Sequence, residues 1–464
     1  MNKPSDYLYD IFFKAPYPIK WLGINMYGEI LKRKRFGKEF YKFYELLKDA
    51  ESWDIKQIRE FQLERLIHIM KIAANIPYYS NIFSDLKFKP SNIKSIEDIK
   101  KLPILSKEII RKNFNSLLNQ KELKYGVKQS SSGTTGQKIE FYLPKFLAYG
   151  LNTAIIWRQY SWAGIKLGEK RITIGGRIFT HTPPYYVYNM AENQLLLSIH
   201  HLNNATVDDY IDTIKDFKPS FIQGHPSGIY FLAYRMFERN IKIPLKGVFT
   251  TGETLSEDQR LVIEESFSTR VFESYGSGES VIAAQECEEH KGFHEISILG
   301  VIELEKCGLE NQFTVIGTSI WNNIMPFIRY KIEDIVEPVG NSICSCGRGY
   351  PLIFKRVIGR IDDIIKTPEN VTILPVTIRM TIKPYLKSFE NYQFQQISSN
   401  YYQLILIGEE DKNRDLIILN KLRHMLGDKA RITLQYSDNI LTSSGKIRNV
   451  VNLYEKLKIN EEDK

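Results

Sequence analysis

The chain has 464 residues, a formal net charge of +9, 43% hydrophobic and 25% charged residues, and only four cysteines. This composition excludes a disordered protein and a small disulfide-stapled scaffold, and the length allows two or more domains with large cores. The positive charge admits an anionic partner, although a sequence rich in lysine, isoleucine and asparagine is the simpler explanation.

The sequence predicts no membrane span and no secretory signal. No apolar run approaches the about 18–20 residues that cross a bilayer, and the first residues lack a charged-then-apolar pattern. We therefore expect a cytoplasmic protein in a reducing compartment. Near the N-terminus, the apolar YPIKWLGINMY precedes the basic GEILKRKRFGKEFYK, a pairing that can bind an anionic membrane surface. A solvated basic helix is the commoner explanation, and both alternatives stay open.

The first well-defined predicted element is an amphipathic helix over Ile55–Ile76, which ends before Pro77. From Arg171 onward, short β-branched and aromatic runs alternate with helical stretches. These runs are RITIGG, PSFIQG, GVFTTG and TRVFESYG, and they close on glycine or small polar residues. The alternation predicts an α/β fold, with a mostly parallel sheet flanked by helices and functional loops at the carboxyl ends of the strands.

The pattern changes near Gly359–Lys366, where the chain reads GRIDDIIK. Beyond this point YQLILIG, a helix from about Lys412 to Met425, and ARITLQY predict a compact β–α–β module. We therefore predict a large N-terminal domain over residues 1–360 and a small α+β C-terminal domain over residues 361–464.

A run of hydroxyl and glycine residues, SSSGTTGQK, spans Ser130–Lys138. Such a run suits a flexible linker or turn. It equally suits a phosphate cradle, because glycine lets backbone N–H groups approach an anion and hydroxyls add donors. It is not a Walker loop, since no glycine–lysine–Ser/Thr follows at the required spacing.

Five further segments follow: TTGETL (Thr250–Leu255), ESYGSGES (Glu273–Ser280), IRYKIEDI (Ile328–Ile335), GRIDDIIK (Gly359–Lys366) and LTSSGKIRNV (Leu441–Val450). In order, spacing and content the six motifs resemble those of the AMP-forming adenylate-forming superfamily, which includes the acyl-CoA synthetases. IPYYSNIF, KLPILSKEIIRKNF and CSCGRGYP make the chain most similar to its phenylacetate–CoA ligase-like branch, in particular to the capsular-polysaccharide CapK-type proteins. The resemblance covers nearly the whole chain.

The resemblance implies an ATP- and Mg²⁺-dependent ligase. A carboxylate would attack the α-phosphorus of ATP and expel pyrophosphate, giving an acyl-AMP. The acyl group would then pass to CoA, or to an amine or hydroxyl, plausibly on a sugar in surface-polysaccharide synthesis. A hinged, mobile C-terminal domain would serve the two steps in turn. The alternatives are a nucleotidyl transferase that leaves AMP on its product and a nucleotide-binding scaffold without turnover.

The resemblance also assigns roles to particular residues. The residues over the β- and γ-phosphates would be Ser131, Ser132, Gly133, Thr134, Thr135 and Gly136, with the hydroxyl of Thr134 among the catalytic donors. Lys138 would close this loop, or it is a solvated lysine.

The remaining assignments concern the nucleotide, its metal and the hinge. The residues around adenine would be Tyr275, stacked on the ring, with Gly252, Glu253, Gly276 and Ser277. Glu279 would hold Mg²⁺, and Asp334 would accept both ribose hydroxyls. Arg360 would contact ribose or phosphate, and Asp362 falls at the hinge. Lys446 would bridge the carboxylate and the α-phosphate. Without these roles, Tyr275 would be a buried strand-end aromatic, and Glu279 and Lys446 surface charges.

Two positions depart from the family pattern. Glu333 stands where glycine usually precedes the ribose aspartate, and KTPENVTILP replaces an Asp–Gly turn after the hinge. The first could crowd the ribose loop, and the second changes a turn used in the second conformation. The adenylation step is therefore better supported by the sequence than the identity of the second step.

A metal site is the remaining chemical candidate. Three thiols and an imidazole, from Cys287, His294, Cys344 and Cys346, could form a closed tetrahedral structural zinc site. The spacing is not that of a standard zinc finger, but the pattern is similar to that of CapK-like chains. The alternative is a set of buried free cysteines and a surface histidine. His290 could substitute as a ligand.

Outside that set, Cys307 is expected to be a core residue. His200 and His201 lie in LLLSIHHLN, where the family places its acyl pocket, although a structural role is commoner for histidine on an apolar segment. Trp157, Tyr160 and Tyr230 could line the same pocket or simply pack in the core. The sequence identifies neither the acid nor the oligomeric state.

Overall fold

The computed structural model describes residue 12 and residues 15–131, 138–307, 311–339, 344–360, 363–387, 390–442 and 445–454. Predicted residues outside these ranges are Ser132, Gly133, Thr134, Thr135, Gly136 and Asp362. The roles of these six residues stay predictions.

The described helices are α1 (Tyr17–Arg35), α2 (Lys38–Ala50), α3 (Ile55–Ala73), α4 (Pro77–Asp85), α5 (Lys107–Lys112), α6 (Asn152–Trp162), α7 (Val207–Phe217), α8 (Pro226–Glu238), α9 (Glu257–Phe267), α10 (Pro375–Ile382) and α11 (Lys412–Leu426). The strands of the large sheet are β3 (Arg171–Gly175), β4 (Tyr186–Asn189), β5 (Gln194–Ser198), β6 (Phe221–Gly224), β7 (Gly247–Thr251), β8 (Val271–Gly276), β9 (Ala283–Glu286), β10 (Phe293–Glu295), β11 (Gly300–Lys306), β12 (Phe313–Ser319), β13 (Tyr330–Pro338) and β14 (Leu352–Arg360). The other strands are β1 (Gly126–Ser130), β2 (Glu140–Pro144), β15 (Ile365–Lys366), β16 (Thr372–Ile373), β17 (Asn391–Gln396), β18 (Tyr401–Ile407), β19 (Arg431–Tyr436) and β20 (Val450–Asn452).

The predicted amphipathic helix near residue 60 is confirmed as α3. It begins at a capping box, in which the Asp54 side chain accepts from the backbone of Gln57 and the Gln57 side chain accepts from the backbone of Asp54. One face buries Leu66, Ile69 and Met70 in the large core. The helix therefore packs one apolar face on the domain, as its periodicity predicts.

The central sheet confirms the predicted α/β class, but the prediction of a mostly parallel sheet is wrong: of its eleven neighbouring strand pairs, four are parallel and seven are antiparallel. Its strand order is β11-β12-β13-β14-β10-β9-β8-β7-β6-β3-β5-β4. Strands β5, β3, β6, β7 and β8 run parallel, and they include the four runs singled out in the sequence. Because neighbouring parallel strands end at one edge, the loops after β6, β7 and β8 lie side by side.

The predicted β–α–β module is present as β18, α11 and β19, in which β18 and β19 pair in parallel. The sheet of this module has the order β19-β18-β17-β20 and encloses a separate apolar cluster that includes Phe394, Leu404 and Leu422. We call the predicted C-terminal domain (residues 361–464), which the structure describes from residue 363, the lid. Its division from the rest at residue 360 stays a prediction.

Membrane-spanning helices were sought among the described residues. Every one of those helices is too short or too polar to cross a bilayer.

Candidate active site

The lid brings Lys446 to the carboxyl end of β7. Gly252 follows β7 with a φ of +82°, and a methyl group added to it would lie 3.0 Å from both Cε and Nζ of Lys446. Glycine therefore meets two needs here, a left-handed backbone and close approach of the lysine. The structure brings these two predicted residues together.

Glu253 joins the lid to the sheet. Its Oε2 accepts from the backbone N–H of Ser227 at 3.0 Å, and its Oε1 accepts from the backbone N–H of Ile447 at 2.6 Å. Ser227 lies in the first turn of α8, where N–H groups have no partner within the helix. One carboxylate therefore bridges a helix N-terminus and the residue after Lys446.

A second close approach fixes the same lid loop. Gly445 has a φ of +76°, and a methyl group on it would lie 2.5 Å from Cγ2 of Ile199 and 2.7 Å from Cα of Gly176. Any larger residue would push this loop away from the sheet.

The charges around Lys446 act in both directions. Burial lowers the pKa of Lys446, and nearby Arg360 lowers it further, whereas the carboxylates of Glu253 and Asp334 oppose the shift. Because the ammonium group of Lys446 is partly removed from water, it interacts more strongly with an anion that enters the site than an exposed lysine would.

Asp334 and Arg360 face one another across the β13–β14 pair. Arg360 Nε lies 3.4 Å from Asp334 Oδ1, and the hydroxyl of Tyr275 donates to Asp334 Oδ2 at 2.8 Å. Burial raises the pKa of Tyr275 well above its ordinary value, with the Asp334 charge adding to it, so this hydroxyl stays a neutral donor. Three predicted residues therefore form one hydrogen-bonded group.

Glu279 is a buried carboxylate in the loop between β8 and β9, with 5% exposure. Its Oε1 accepts from the hydroxyl of Tyr330 at 3.2 Å. Burial raises the pKa of Glu279, while the bond from Tyr330 and the charge of Lys107 lower it. Gly276 ends β8, and the Ser277 hydroxyl oxygen accepts from the N–H of Val281 at 3.3 Å, which closes this loop.

The departure at Glu333 has a structural basis. Glu333 has a φ of +70°, in the left-handed region where glycine is favoured, and its side chain forms an ion pair with Lys107. The side chain therefore points to a cation on α5, while the backbone keeps the glycine-like geometry.

Of the predicted phosphate loop, Ser131 and Lys138 are described. The Ser131 N–H donates to the Ile139 carbonyl at 2.9 Å, and the Ile139 N–H donates to Ser131 Oγ at 3.1 Å. The backbone N–H and the hydroxyl oxygen of Ser131 are therefore both engaged in extending the β1–β2 pair by one residue.

The four predicted metal ligands do meet. Their ligand atoms all lie within 4.8 Å of one another. Sulfur atoms of Cys287 and Cys344 are 3.6 Å apart, and His294 Nε2 lies 3.3 Å from Cys287 Sγ and 3.5 Å from Cys346 Sγ. A tetrahedral zinc with bonds of about 2.3 Å to sulfur and about 2.0 Å to nitrogen puts its ligand atoms about 3.5–3.8 Å apart. The three sulfur and nitrogen distances are close to that geometry, and the whole cluster is only slightly wider.

The surroundings of His294 favour ligation as well. Its Nδ1 lies 2.6 Å from the Tyr350 carbonyl, which leaves Nε2 facing the thiols. His290, the predicted substitute, lies outside the cluster, with Nδ1 3.3 Å from Glu286 Oε2. Cys307 also lies apart, half-buried, and its Sγ donates to the Gln312 carbonyl at 3.3 Å.

The predicted acyl-pocket residues separate into two groups. Trp157 and Tyr160 pack in the large apolar core, and Tyr230 packs in a second, separate apolar cluster. His201 instead lies in the same 3-10 turn as Ile199, where its ring stacks on Tyr185 with ring centres 4.5 Å apart, and burial lowers its pKa.

Sequence reasoning missed three residues of this site: Lys107, His225 and Tyr330. His225 Nδ1 lies 3.0 Å from the Thr251 carbonyl and 3.3 Å from the position of a methyl group on Gly252. Its place after strand β6 was a detectable feature, because the loops after parallel strands meet. No feature of the sequence pointed to Lys107, since it lies on a helix that is far in sequence from the other residues of the site.

No protein-family model matches the chain. It is 26% identical over 458 residues to Protein CapK of Staphylococcus aureus, covering 95% of this chain and 98% of CapK. It is 22% identical over 435 residues to phenylacetate-coenzyme A ligase of Pseudomonas putida, covering 86% of this chain and 95% of the ligase. For the enzyme of that name from Escherichia coli K12, identity is 21% over 442 residues, with 88% and 97% covered.

Solved structures give the same picture of the fold. The crystal structure of 2-hydroxyisobutyryl-CoA ligase in the postadenylation state, in complex with R3-HIB-AMP, matches with a TM-score of 0.66 at 18% identity over 90% of this chain and 94% of that one. That ligase with 2-HIB-AMP and CoA in the thioesterification state gives a TM-score of 0.56 at 19% identity over the same shares. These likenesses confirm the predicted fold.

Proposed function

Because the chain is a homologue of the phenylacetate–CoA ligases and CapK, within the AMP-forming adenylate-forming superfamily, we propose that it activates a carboxylic acid as an acyl-AMP. ATP would be the co-substrate and pyrophosphate the other product. The acyl group would then pass to CoA, the acceptor in the names of its ligase relatives.

The observation that carries this proposal is the meeting of Lys446 with the large-domain site. Lys446 lies against Gly252, and it is close enough to Asp334 and Arg360 for their charges to shift its pKa. A nucleotide-binding scaffold has no need of a half-buried lysine delivered by a second module. Adenylation does, because negative charge accumulates on the phosphate oxygens in the transition state.

The proposed roles follow the geometry. Asp334 would accept the ribose hydroxyls, oriented by the neutral hydroxyl of Tyr275 and flanked by Arg360. Lys446 would lie between the acid's carboxylate and the α-phosphate, with its loop held by Glu253. Positioning a reactant carboxylate in this way converts a bimolecular step into a nearly unimolecular one.

Glu279 fits the predicted Mg²⁺ role, because a buried carboxylate oxygen is the ligand that a hard cation prefers. When bound, the ion would neutralise charge on the phosphates. The hydroxyl of Tyr330 would hold the carboxylate in place, and Lys107 would favour its ionised form.

For the second step we propose that residues 361–464 rotate as a mobile lid. Release would break the bond from the Ile447 N–H to Glu253 and withdraw Lys446. The higher TM-score against the postadenylation state than against the thioesterification state supports assignment of the present arrangement to the adenylation half.

We further propose that Cys287, His294, Cys344 and Cys346 hold a structural zinc ion. All four ligand positions come from protein, so no place remains for a reactive water. The ion would tie the loop before β14 to β10 and thereby support the strand that carries Arg360. Zinc bound to thiolates releases protons, so its affinity would rise with pH.

The acid and the acceptor are best found by screening. Carboxylic acids should be tested for pyrophosphate release with ATP and Mg²⁺, with and without CoA. The proposal predicts acid-dependent release and a thioester when CoA is present. An acyl product on an amine or a sugar hydroxyl would identify another acceptor, and AMP retained in the product, seen by mass spectrometry, would show nucleotidyl transfer. ATP binding without release for any acid would support a scaffold.

A further inference from the structure

Helix α1 turns an apolar face outward. The outward side chains are Ile19, Leu22, Met26, Tyr27 and Ile30, with exposures of 60%, 53%, 63%, 57% and 51%. Residues three or four apart lie on one side of a helix, so these five form a continuous patch over three turns, here called the α1 stripe. An exposed, contiguous apolar patch on a protein surface marks an interaction site.

The inward face of α1 contacts the edge of the large sheet, and several of these contacts are hydrogen bonds from polar side chains. Asn25 Nδ2 donates to the Tyr188 carbonyl at 3.0 Å, and Asn25 Oδ1 accepts from the Met190 N–H at 2.8 Å. The hydroxyl of Tyr17 donates to the Tyr186 carbonyl at 3.1 Å. These bonds satisfy backbone groups along the edge strand β4, which would otherwise be open to pairing.

Gly28 is the point at which α1 approaches the large sheet most closely among its described contacts. A methyl group on Gly28 would lie 2.4 Å from Oδ1 of Asn189, so backbone packs directly on this side chain. The five stripe residues therefore lie on the side away from the sheet, whereas an ordinary surface helix exposes mainly polar residues there.

Positive charge adjoins the α1 stripe. Between Tyr17 and Lys42 the chain has seven basic and two acidic residues. The last turn of α1 reads Lys32, Arg33, Lys34 and Arg35. Arg33 pairs with Glu29 at 3.1 Å and Arg35 with Glu192 at 2.6 Å. Lys32 and Lys34 are exposed at the end of the stripe.

We propose that the α1 stripe docks this protein on an anionic lipid bilayer. The helix would lie in the interface plane, with its five apolar side chains among the lipid chains and its basic turn at the anionic headgroups. Apolar insertion and attraction of lysine and arginine are the two terms that bind such helices. A second copy of the chain fits less well, because the stripe offers a few hundred Å², below the roughly 800 Å² per partner of a stable interface.

The test is flotation of the full chain with vesicles of phosphatidylcholine alone or with about one third phosphatidylglycerol. We expect binding to the anionic vesicles, at least tenfold weaker binding to the neutral ones, and loss in high salt. Leu22→Glu with Met26→Glu should lower binding at least tenfold. The matched control, Leu261→Glu with Met380→Glu, changes side chains of 65% and 69% exposure elsewhere and should bind as the wild type does.

A variant with fewer positive charges separates the electrostatic contribution to binding from the apolar one. Lys32→Gln with Lys34→Gln should weaken binding to anionic vesicles several-fold and leave the weak neutral binding unchanged. Equal binding by the stripe variant and the wild type, or no binding to anionic vesicles, would overturn the proposal. So would a dimer in sedimentation that the stripe variant dissociates, or vesicle binding that appears only when residues 1–14 are deleted. Vesicle binding needs no substrate, so its result is separate from that of the activation assay.

Discussion

The two halves of the site are built differently. The large-domain half is already hydrogen-bonded: Glu279 is held by Tyr330, and Asp334 by Tyr275. The lid half reaches the site through Lys446, and among the described residues its loop meets the large domain through the bond from Ile447 to Glu253, the close contacts of Gly445 and the packing of Leu441. We therefore expect the large domain to keep its geometry through the reaction while the lid is released. The predictions below test that contrast.

The largest effect is expected for Lys446→Ala. Loss of one positioned charge in the transition state costs about 10²–10³ in rate, so acid-dependent pyrophosphate exchange should fall by that amount. Lys429→Ala removes an exposed lysine from the same lid and is the control. A loss of less than about threefold in Lys446→Ala would show that the lid half contributes nothing to adenylation.

Removal of a zinc ligand tests whether the fixed half depends on the metal. Cys346→Ser should lower the zinc content, measured by plasma emission, from about one ion per chain to near zero, and should lower the unfolding midpoint. Cys307→Ser should leave both unchanged, since Cys307 lies outside the cluster. Wild-type protein purified without zinc, yet with an unchanged unfolding midpoint on chelation, would contradict the assignment.

Glu253→Gln tests the bridge between the halves. A charge-assisted hydrogen bond is worth about 1.5–3 kcal/mol, so kcat for adenylation should fall about 10-fold or more. Since the carboxylate holds the lid loop, the KM for ATP should change little, whereas a residue lining adenine would raise it. Glu257→Gln, on the exposed first turn of α9, is the control. A rise in the KM for ATP at constant kcat would instead indicate that Glu253 lines the adenine pocket.

The pH profile should reflect both halves. Burial raises the pKa of Glu279 from 4.5, so Mg²⁺ binding and kcat/KM should begin to fall with acid at a higher pH than for an ordinary glutamate. Burial and Arg360 lower the pKa of Lys446 from 10.5, so its protonated form is lost, and activity with it, at a lower pH than for an ordinary lysine. An activity that stays constant from the ordinary pKa of glutamate to the ordinary pKa of lysine would contradict both shifts.

The smallest effect is expected at Glu333. A non-glycine residue at positive φ costs about 1 kcal/mol, and the ion pair with Lys107 offsets part of that cost. Glu333→Gly should therefore change stability little, and Glu333→Ala, which keeps the strained backbone but loses the pair, should be about 1 kcal/mol less stable than Glu333→Gly. Equal unfolding midpoints for the two variants would refute the backbone strain, and equal midpoints for the wild type and Glu333→Ala would refute the compensation by Lys107.

The sequence anticipated most of the fold and part of the site. Parallel strands such as Gly247–Thr251 were predictable because apolar runs ending in glycine are local signals. The cluster of Cys287 with Cys344 was predicted from residue type together with the resemblance to CapK-like chains, because its spacing alone is not that of a standard zinc site; its distances were not predictable. The pairing of Lys107 with Glu333 was not, because it joins residues 226 positions apart on unrelated elements. Nor was the outward face of α1, since an apolar stripe normally predicts burial and here Gly28 and Asn25 lie on the side that faces the sheet.

The most direct test of the account is to measure the two half-reactions separately in wild type and in Lys446→Ala. Acid-dependent pyrophosphate exchange reports the first, and thioester formation from supplied acyl-AMP and CoA reports the second. We predict that the substitution lowers the first about 10²–10³-fold and leaves the second within a few-fold of wild type. An equal loss in both half-reactions would contradict the claim that the lid delivers Lys446 for adenylation alone.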